Sequence, residues 1–308
     1  MNTPLTLSII TPAWNVGPWL PQTIESILSQ KGAFHIQYIV VTDPSTDDTV
    51  TIAKEYQRRV ESGTFPIACE KVTMRVIELE GSGSMYRALD IGFSHATGDI
   101  EAWMPGDDIY AQGAFETMRI IFTEHQDIHF VKGYDGTISE GGEVLQEGAN
   151  YIYHQKWIER GVYGMEAYHV QQESVFWRPW LRKKVGTFPQ GTKSMGDYWL
   201  WTQFAKHARL WSVDTRVSYF RKRSGQDSRV NAKRCRDTMW AFRGKRRPLA
   251  GWHARLLFFP LAHLIPAAWR DVFERLYPYL YPRHDLRHLT MEDTHAKIVT
   301  ARTFVTRR

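Results

Sequence analysis

The sequence predicts an α/β protein built on a mostly parallel central sheet flanked by helices. Two observations carry this: short β-rich apolar runs alternate with helical patterns up to about residue 132, and the chemically suggestive polar residues fall just after those runs. Strands are expected at 7–11, 38–42, 75–79, 100–104 and 128–131, with helices at 20–30, 47–59, 85–96 and 113–123 between them. Asp47 or Asp48 is placed to cap the second helix. In such sheets ligands bind outside the carboxyl ends of the strands. Thr11, Pro12 and Asn15 lie at the end of the first strand, Asp43 after the second, Gly81 to Ser84 after the third, and Asp107 and Asp108 after the fourth. Polar ends converging on one rim point to a nucleotide site. A glycine-rich dinucleotide site is disfavoured, because Thr-Pro-Ala-Trp-Asn follows the first strand and Gly81-Ser82-Gly83 lacks the third glycine.

The segment Gly-Asp-Ile-Glu-Ala-Trp-Met-Pro-Gly-Asp-Asp, residues 98–108, is the most informative. An apolar strand broken only by Glu101 delivers two adjacent carboxylates to the sheet edge, a natural place for a hard divalent cation and a diphosphate. The alternative is a plain helix start, with Asp108 as the N-cap of a helix through 112–121.

Further on, residues 134–145 read as a hairpin, 174–177 as a strand and 197–206 as a helix. Composition shifts again after about residue 230. At 308 residues and 43% hydrophobic, the chain can bury one large core or one domain plus an appendage. Met-Asn-Thr-Pro-Leu-Thr-Leu has no basic flank, so no signal peptide is expected. Cys69 and Cys235 stand far apart without metal-like spacing, which disfavours a disulfide framework and suits a cytoplasmic setting.

Several segments together resemble family 2 glycosyltransferases, in order and spacing over roughly residues 5–225. They are Ser-Ile-Ile-Thr-Pro-Ala-Trp-Asn, Ile-Val-Val-Thr-Asp-Pro-Ser-Thr-Asp-Asp-Thr at 39–49, Ala-Leu-Asp-Ile-Gly with Ala-Thr-Gly-Asp at 88–99, the Gly106-Asp107-Asp108 turn, 172–178, and Gly-Asp-Tyr-Trp-Leu-Trp at 196–201. The resemblance implies a GT-A type, Rossmann-like fold and a nucleotide-sugar donor. Residues 1–132 would form the donor half and 133–230 the acceptor half of a 1–230 domain, followed by a mainly helical basic extension at 231–308. Asp43 matches the aspartate that accepts a hydrogen bond from the base, commonly uracil, although Thr42 and Pro44 depart from the pattern; read alone, Asp43 is equally an Asp-Pro turn residue. Asp107 matches the last position of the family's metal motif, whose first position is Pro105, leaving Mg²⁺ or Mn²⁺ to Asp107, Asp108, donor phosphates and water. Asp197 matches the catalytic base, against the alternative of an N-cap.

Glu173 and Trp199 are candidates for acceptor contact, with Trp14 and Trp201 as further sugar-stacking positions. Arg221, Arg223 and Gln226 are placed to close over a diphosphate, or else form a basic surface loop. Arg87 has no assignment.

Net charge is +6, but residues 206–308 hold 23 Lys/Arg against 8 Asp/Glu, while residues 1–205 carry −9. A basic tail implies an anionic partner. Trp269, Val272, Phe273, Leu276 and Tyr277 form one apolar helical stripe downstream of Arg-Gly-Lys-Arg-Arg at 243–247. The apolar run at 256–265 is too short and interrupted to span a bilayer, so peripheral attachment to the inner face of the membrane is expected, the alternative being docking on the catalytic domain or a second copy. The expected function is inverting transfer of a sugar, likewise expected from a UDP-sugar, to a glycan or lipid-linked glycan acceptor in surface polysaccharide synthesis. Two rivals stay open: a catalytically weakened sugar-nucleotide-binding scaffold, and a nucleic-acid-binding protein using the tail, which the acidic first half disfavours.

Overall fold

The structure is a computed structural model and describes residues 4–81, 83–164, 169–224, 231–243, 286–301 and 305–307. The expected tail stripe at 266–277 and apolar run at 256–265 lie outside the described residues, as does Gln226.

Strand β1 (Leu5–Ala13) is buried from Leu7 onward, which requires neighbours on both edges and cover on both faces. It pairs in parallel with β2 (Gly32–Thr42) and β4 (Ile100–Trp103), and β2 pairs in parallel with β3 (Cys69–Glu78). Period-two alternation assigns side chains to the two faces: Ile36, Tyr38 and Val40 of β2 enter one core, Ile39 and Val41 the other. Helices α1 (Leu20–Leu28), α2 (Thr49–Glu61), α3 (Met85–Ser94) and α4 (Ala114–Glu124) follow these strands. Ile24 and Ile27 of α1, Ala53 of α2 and Phe115 and Met118 of α4 join the first core, and Leu89 and Phe93 of α3 the second. Gly92 permits α3 to lie close on β1, since a Cβ there would fall 2.5 Å from Ile10. Asp47, not Asp48, bonds the start of α2: its Oδ1 accepts from the Thr49 amide at 3.1 Å.

The second half adds β5 (Ile109–Tyr110), β6 (Phe130–Ile138), β7 (Val144–Glu147), β8 (Asn150–Tyr151), α5 (Gln155–Glu159), a 3₁₀ turn (Gln172–Ser174), β9 (Val175–Trp177), α6 (Pro179–Val185), α7 (Gly196–Phe204) and β10 (Trp211–Arg221). Beyond these come α8 (Ala232–Arg243), β11 (Arg287–Glu292), β12 (His295–Thr300) and β13 (Val305–Arg307). The main sheet runs β12-β11-β10-β6-β9-β4-β1-β2-β3, with β9 antiparallel between β4 and β6. Trp103, Trp177 and Trp201 fill the second core, Trp103 stacked on Trp201 at 5.3 Å between ring centroids. Glu101, the one charge in β4, is buried there because Arg182 grips both its oxygens at 2.8 and 2.9 Å and the Trp177 indole donates at 3.0 Å.

The structure decides or extends three of the expectations. Asp108 does not start a helix: the chain forms β5, which pairs with Ser218 and Tyr219 of β10, and α4 begins only after the left-handed Gly113. The strand expected at 128–131 continues to Ile138 and makes the expected hairpin with β7, Gly136 facing Glu147. Among the described residues of the extension expected to be mainly helical, α8 is helical and 287–300 is a strand pair that prolongs the sheet. Ile298, Val299 and Thr300 favour extended backbone, and Asp293 takes the left-handed conformation (φ 52°) at the turn between the two strands.

Candidate active site

The register brings the carboxyl ends of β1, β2 and β3 level: Ala13 faces Thr42, and Thr42 faces Glu78. Asp43 follows directly, 6% exposed, its amide donating to the Ala13 carbonyl at 3.2 Å. Burial raises its pKa, opposed by the Gly83 amide and the Arg87 guanidinium. Its Oδ1 is buried and accepts no hydrogen bond of ordinary geometry, which leaves acceptor capacity at this end of the sheet. Arg87, unassigned from sequence, thus closes the β3 side of this end, with Nη1 3.4 Å from the Gly81 carbonyl.

Asn15 is left-handed (φ 49°), and its Oδ1 accepts from the Thr46 amide at 2.8 Å while its own amide donates to Ser45 Oγ at 3.2 Å. It stitches the loop after β1 to the loop after β2, with Trp14 beside it 59% exposed at the rim. Thr11 corrects an expectation: its side chain is fully buried and its hydroxyl accepts from Tyr38 at 3.1 Å, so it supports the rim from beneath. Pro12 is likewise buried within β1.

The aspartate pair divides its labour. Asp107 is 9% exposed, and its Oδ2 receives Arg223 Nε at 2.7 Å; that guanidinium lies 4.5 Å above the Trp19 ring. Asp108 turns inward at 1% exposure, its Oδ1 accepting the Arg221 amide at 2.7 Å. Burial pushes Asp108 well above the usual carboxylate range, with Asp107 and Glu173 adding to the rise and Arg221 opposing it. Asp108 thus faces inward onto the Arg221 amide, whereas Asp107 keeps one carboxylate oxygen outside its arginine pair. Arg221 is also corrected: it is fully buried and donates to the Asp107 carbonyl (2.6 Å), the carbonyls of Ser139 (3.2 Å) and Glu140 (2.9 Å), and Gln22 Oε1 (2.7 Å). It clamps the aspartate turn and has no geometry for a diphosphate.

On the other side, Asp197 stands in the first turn of α7, 7% exposed. It does not serve as the N-cap, which is the left-handed Met195; its Oδ2 instead lies 2.6 Å from His169 Nε2. Gly196 sets the approach of α7 to α3, because a Cβ there would fall 2.4 Å from the Tyr86 ring. His169 carried no sequence signal: it lies 28 residues from Asp197, and only the fold joins them.

Glu173, expected to touch an acceptor, is fully buried beneath the site with neither carboxyl oxygen hydrogen-bonded. Burial pushes its pKa up to about 8, with Asp135 and Asp197 adding and Lys132 opposing. Lys132 Nζ is already bonded to the Gly133 carbonyl (2.8 Å) and Asp135 (2.9 Å). Trp199 is partly exposed between Phe188 and Phe242, at 5.8 and 6.5 Å, whereas Trp201 is core.

The site residues thus comprise a buried carboxylate oxygen with acceptor capacity, an aspartate–arginine pair and a carboxylate held by a histidine. Among the described residues, no three His, Cys, Asp or Glu side chains are grouped to hold a metal ion, and no helix is long and apolar enough to cross a membrane. The minor teichoic acid biosynthesis protein GgaB of Bacillus subtilis is 31% identical over 121 residues, 39% of this chain and 12% of GgaB. An uncharacterized glycosyltransferase of Rickettsia typhi is 25% identical over 202 residues, 65% of this chain and 58% of its own. The chain thus spans less than two thirds of these relatives' length. Among solved structures, S. aureus TarS in complex with UDP-GlcNAc superposes with a TM-score of 0.59 at 15% identity, covering 92% of this chain and 80% of that one. The mannosyltransferase PcManGT of Pyrobaculum calidifontis, in complex with GDP-Man and Mn²⁺, gives 0.55 at 16% identity, covering 91% and 81%. These likenesses show a GT-A fold. Residues 8–182, more than half of the 308-residue chain, match the model of glycosyl transferase family 2, and the chain belongs to that family.

Proposed function

We propose that this chain is an inverting glycosyltransferase that moves a sugar from a nucleotide diphosphate donor, a UDP-sugar, to a glycan or lipid-linked glycan acceptor in surface polysaccharide synthesis. The observation that carries the reading is Asp197: an oriented, nearly buried carboxylate on the first turn of α7, held against α3, whose N-terminus adjoins the Asp43 rim. UDP-GlcNAc in TarS and the teichoic acid role in GgaB's name support the donor class and the pathway.

In this reading Asp43 Oδ1 accepts the imide N–H of uracil. Arg223 leaves or shares Asp107 to meet the diphosphate, which a guanidinium matches well. Asp197 takes the proton of the acceptor hydroxyl as its oxygen attacks the anomeric carbon from the face opposite the diphosphate. Single displacement inverts that carbon. The residues fit a cation held mainly by the donor: Asp107 supplies one carboxylate with only its Oδ2 in the Arg223 pair, and Asp108 faces inward. Mg²⁺ or Mn²⁺ bound by Asp107 and the donor phosphates would neutralise charge on the leaving diphosphate. The basic tail would hold the enzyme at an anionic membrane surface on the cytoplasmic side.

Asp197→Asn should abolish transfer and leave UDP binding, followed by calorimetry, within about twofold of wild type. Preserved transfer would remove Asp197 from this role.

A further inference from the structure

His169 has a defined place around Asp197. Its Nε2 lies 2.6 Å from Asp197 Oδ2, so an Nε2–H donates and the carboxylate accepts. The chain that carries the ring is tied to the same frame as Asp197. The Val170 carbonyl accepts from the indole of Trp201, which stands on α7 with Asp197, at 3.1 Å, and the His169 carbonyl accepts from the Tyr153 hydroxyl at 3.2 Å. The other ring nitrogen faces Gly164, left-handed at φ 98°, where a Cβ would fall 2.8 Å from Nδ1. Space around the ring is therefore set by a glycine, and its distance from Asp197 by α7. The imidazole is 22% exposed and the carboxylate 10%, so both groups keep some access to solvent.

We propose that His169 is a positioning residue for glycosyl transfer: by donating to Asp197 Oδ2 it aims Oδ1 at the acceptor hydroxyl. The proposal rests on the reading of Asp197 as base. In the step, the hydroxyl proton passes to Asp197 Oδ1, the hydroxyl oxygen bonds to the anomeric carbon, and the bond from that carbon to the phosphate oxygen breaks with its electron pair leaving on the diphosphate. His169 keeps its proton on Nε2 throughout and stabilises the carboxylate in one orientation.

The test compares wild type with His169→Ala, His169→Gln and Asp197→Asn, using the UDP-sugar that wild type turns over. His169→Ala should lower kcat about 100-fold with donor KM within about twofold. His169→Gln, whose amide can donate to the same oxygen, should recover at least about tenfold of that loss. A second readout needs no substrate: ¹⁵N-resolved NMR of wild type should show a downfield imidazole N–H from His169 that moves upfield in Asp197→Asn. Unchanged kcat in His169→Ala, equal loss in a folded His169→Gln, or an N–H resonance indifferent to Asp197→Asn would each overturn the proposal. Full turnover by Asp197→Asn would instead remove the base itself; loss there with none in His169→Ala leaves the base standing and discards only the positioning role.

Discussion

Arg221 and Arg223 stand two positions apart and serve opposite ends. Arg221 is fully buried among carbonyls and the inward-facing Asp108, while Arg223 reaches Asp107 from a partly exposed position above Trp19. Arg221→Met leaves the Asp107, Ser139 and Glu140 carbonyls and Gln22 Oε1 without their donor in the interior and should cost about 3–5 kcal/mol in urea unfolding, with little rescue by Lys, which lacks the planar fork. Sequence marked both as phosphate ligands because the residue type is the same; burial separates them, and burial is decided by strands far away in the chain. Glu173 makes a pH prediction. Its carboxyl keeps its proton up to about pH 8 when folded and releases it in the ordinary glutamate range when unfolded. The folded chain therefore binds more protons between those values, so this group's contribution to stability is complete below the ordinary glutamate range and is lost as pH rises to about 8. Glu173→Gln cannot ionise. Its stability relative to wild type should climb across that window, on the order of a few kcal/mol, and level off above it, as read by urea midpoints across the range; a flat difference would contradict the assignment.

At the scale of elements, α7 shows how spacing determines role. Trp199 and Trp201 are two residues apart, about 200° around a helix, so they face different sides. Trp201 stacks on Trp103 in the core, and Trp201→Ala should destabilise by about 3–5 kcal/mol; Trp199→Ala should change stability little and raise acceptor KM if the tryptophan lines the acceptor site. Thermal unfolding and acceptor titrations distinguish the two. Strands β1 to β4 and the helices after them were legible because a strand buried on both faces reads as an unbroken apolar run, and because its helix carries the opposite periodicity. The short β5 was not legible. Asp-Ile-Tyr has the appearance of a helix start, and the partner that draws it into the sheet, β10, includes Arg221, 113 residues beyond Asp108. The tail hairpin at 287–300 was not read from sequence either, although the β-branched run Ile298 to Thr300 favours extended backbone.

At the scale of the whole molecule, one sheet joins the rim at the ends of β1 to β4 to the second half of the chain, and in the proposed reading the rim takes the donor and the start of α7 the acceptor. The ordered motifs made the strand-end rim and the start of α7 legible. They did not reveal His169, or that Glu173 and Asp108 point inward, because these depend on how the two halves close. Charge is distributed on the same scale, with −9 over residues 1–205 and +15 over 206–308. Sedimentation with anionic vesicles should therefore be lost in a Lys245→Glu/Arg246→Glu/Arg247→Glu variant and at high salt; equal binding by variant and wild type would remove these residues from that role.

The most direct test of the account is turnover of a panel of UDP-, GDP- and dTDP-sugars with Mg²⁺ or Mn²⁺ and a glycan acceptor, comparing wild type with Asp107→Ala and Asp197→Asn. The account predicts metal-stimulated transfer from a UDP-sugar with inversion at the anomeric carbon, lost in both variants, and wild-type-like UDP binding in Asp197→Asn. Transfer that survives both substitutions, or retains the anomeric configuration, would contradict it.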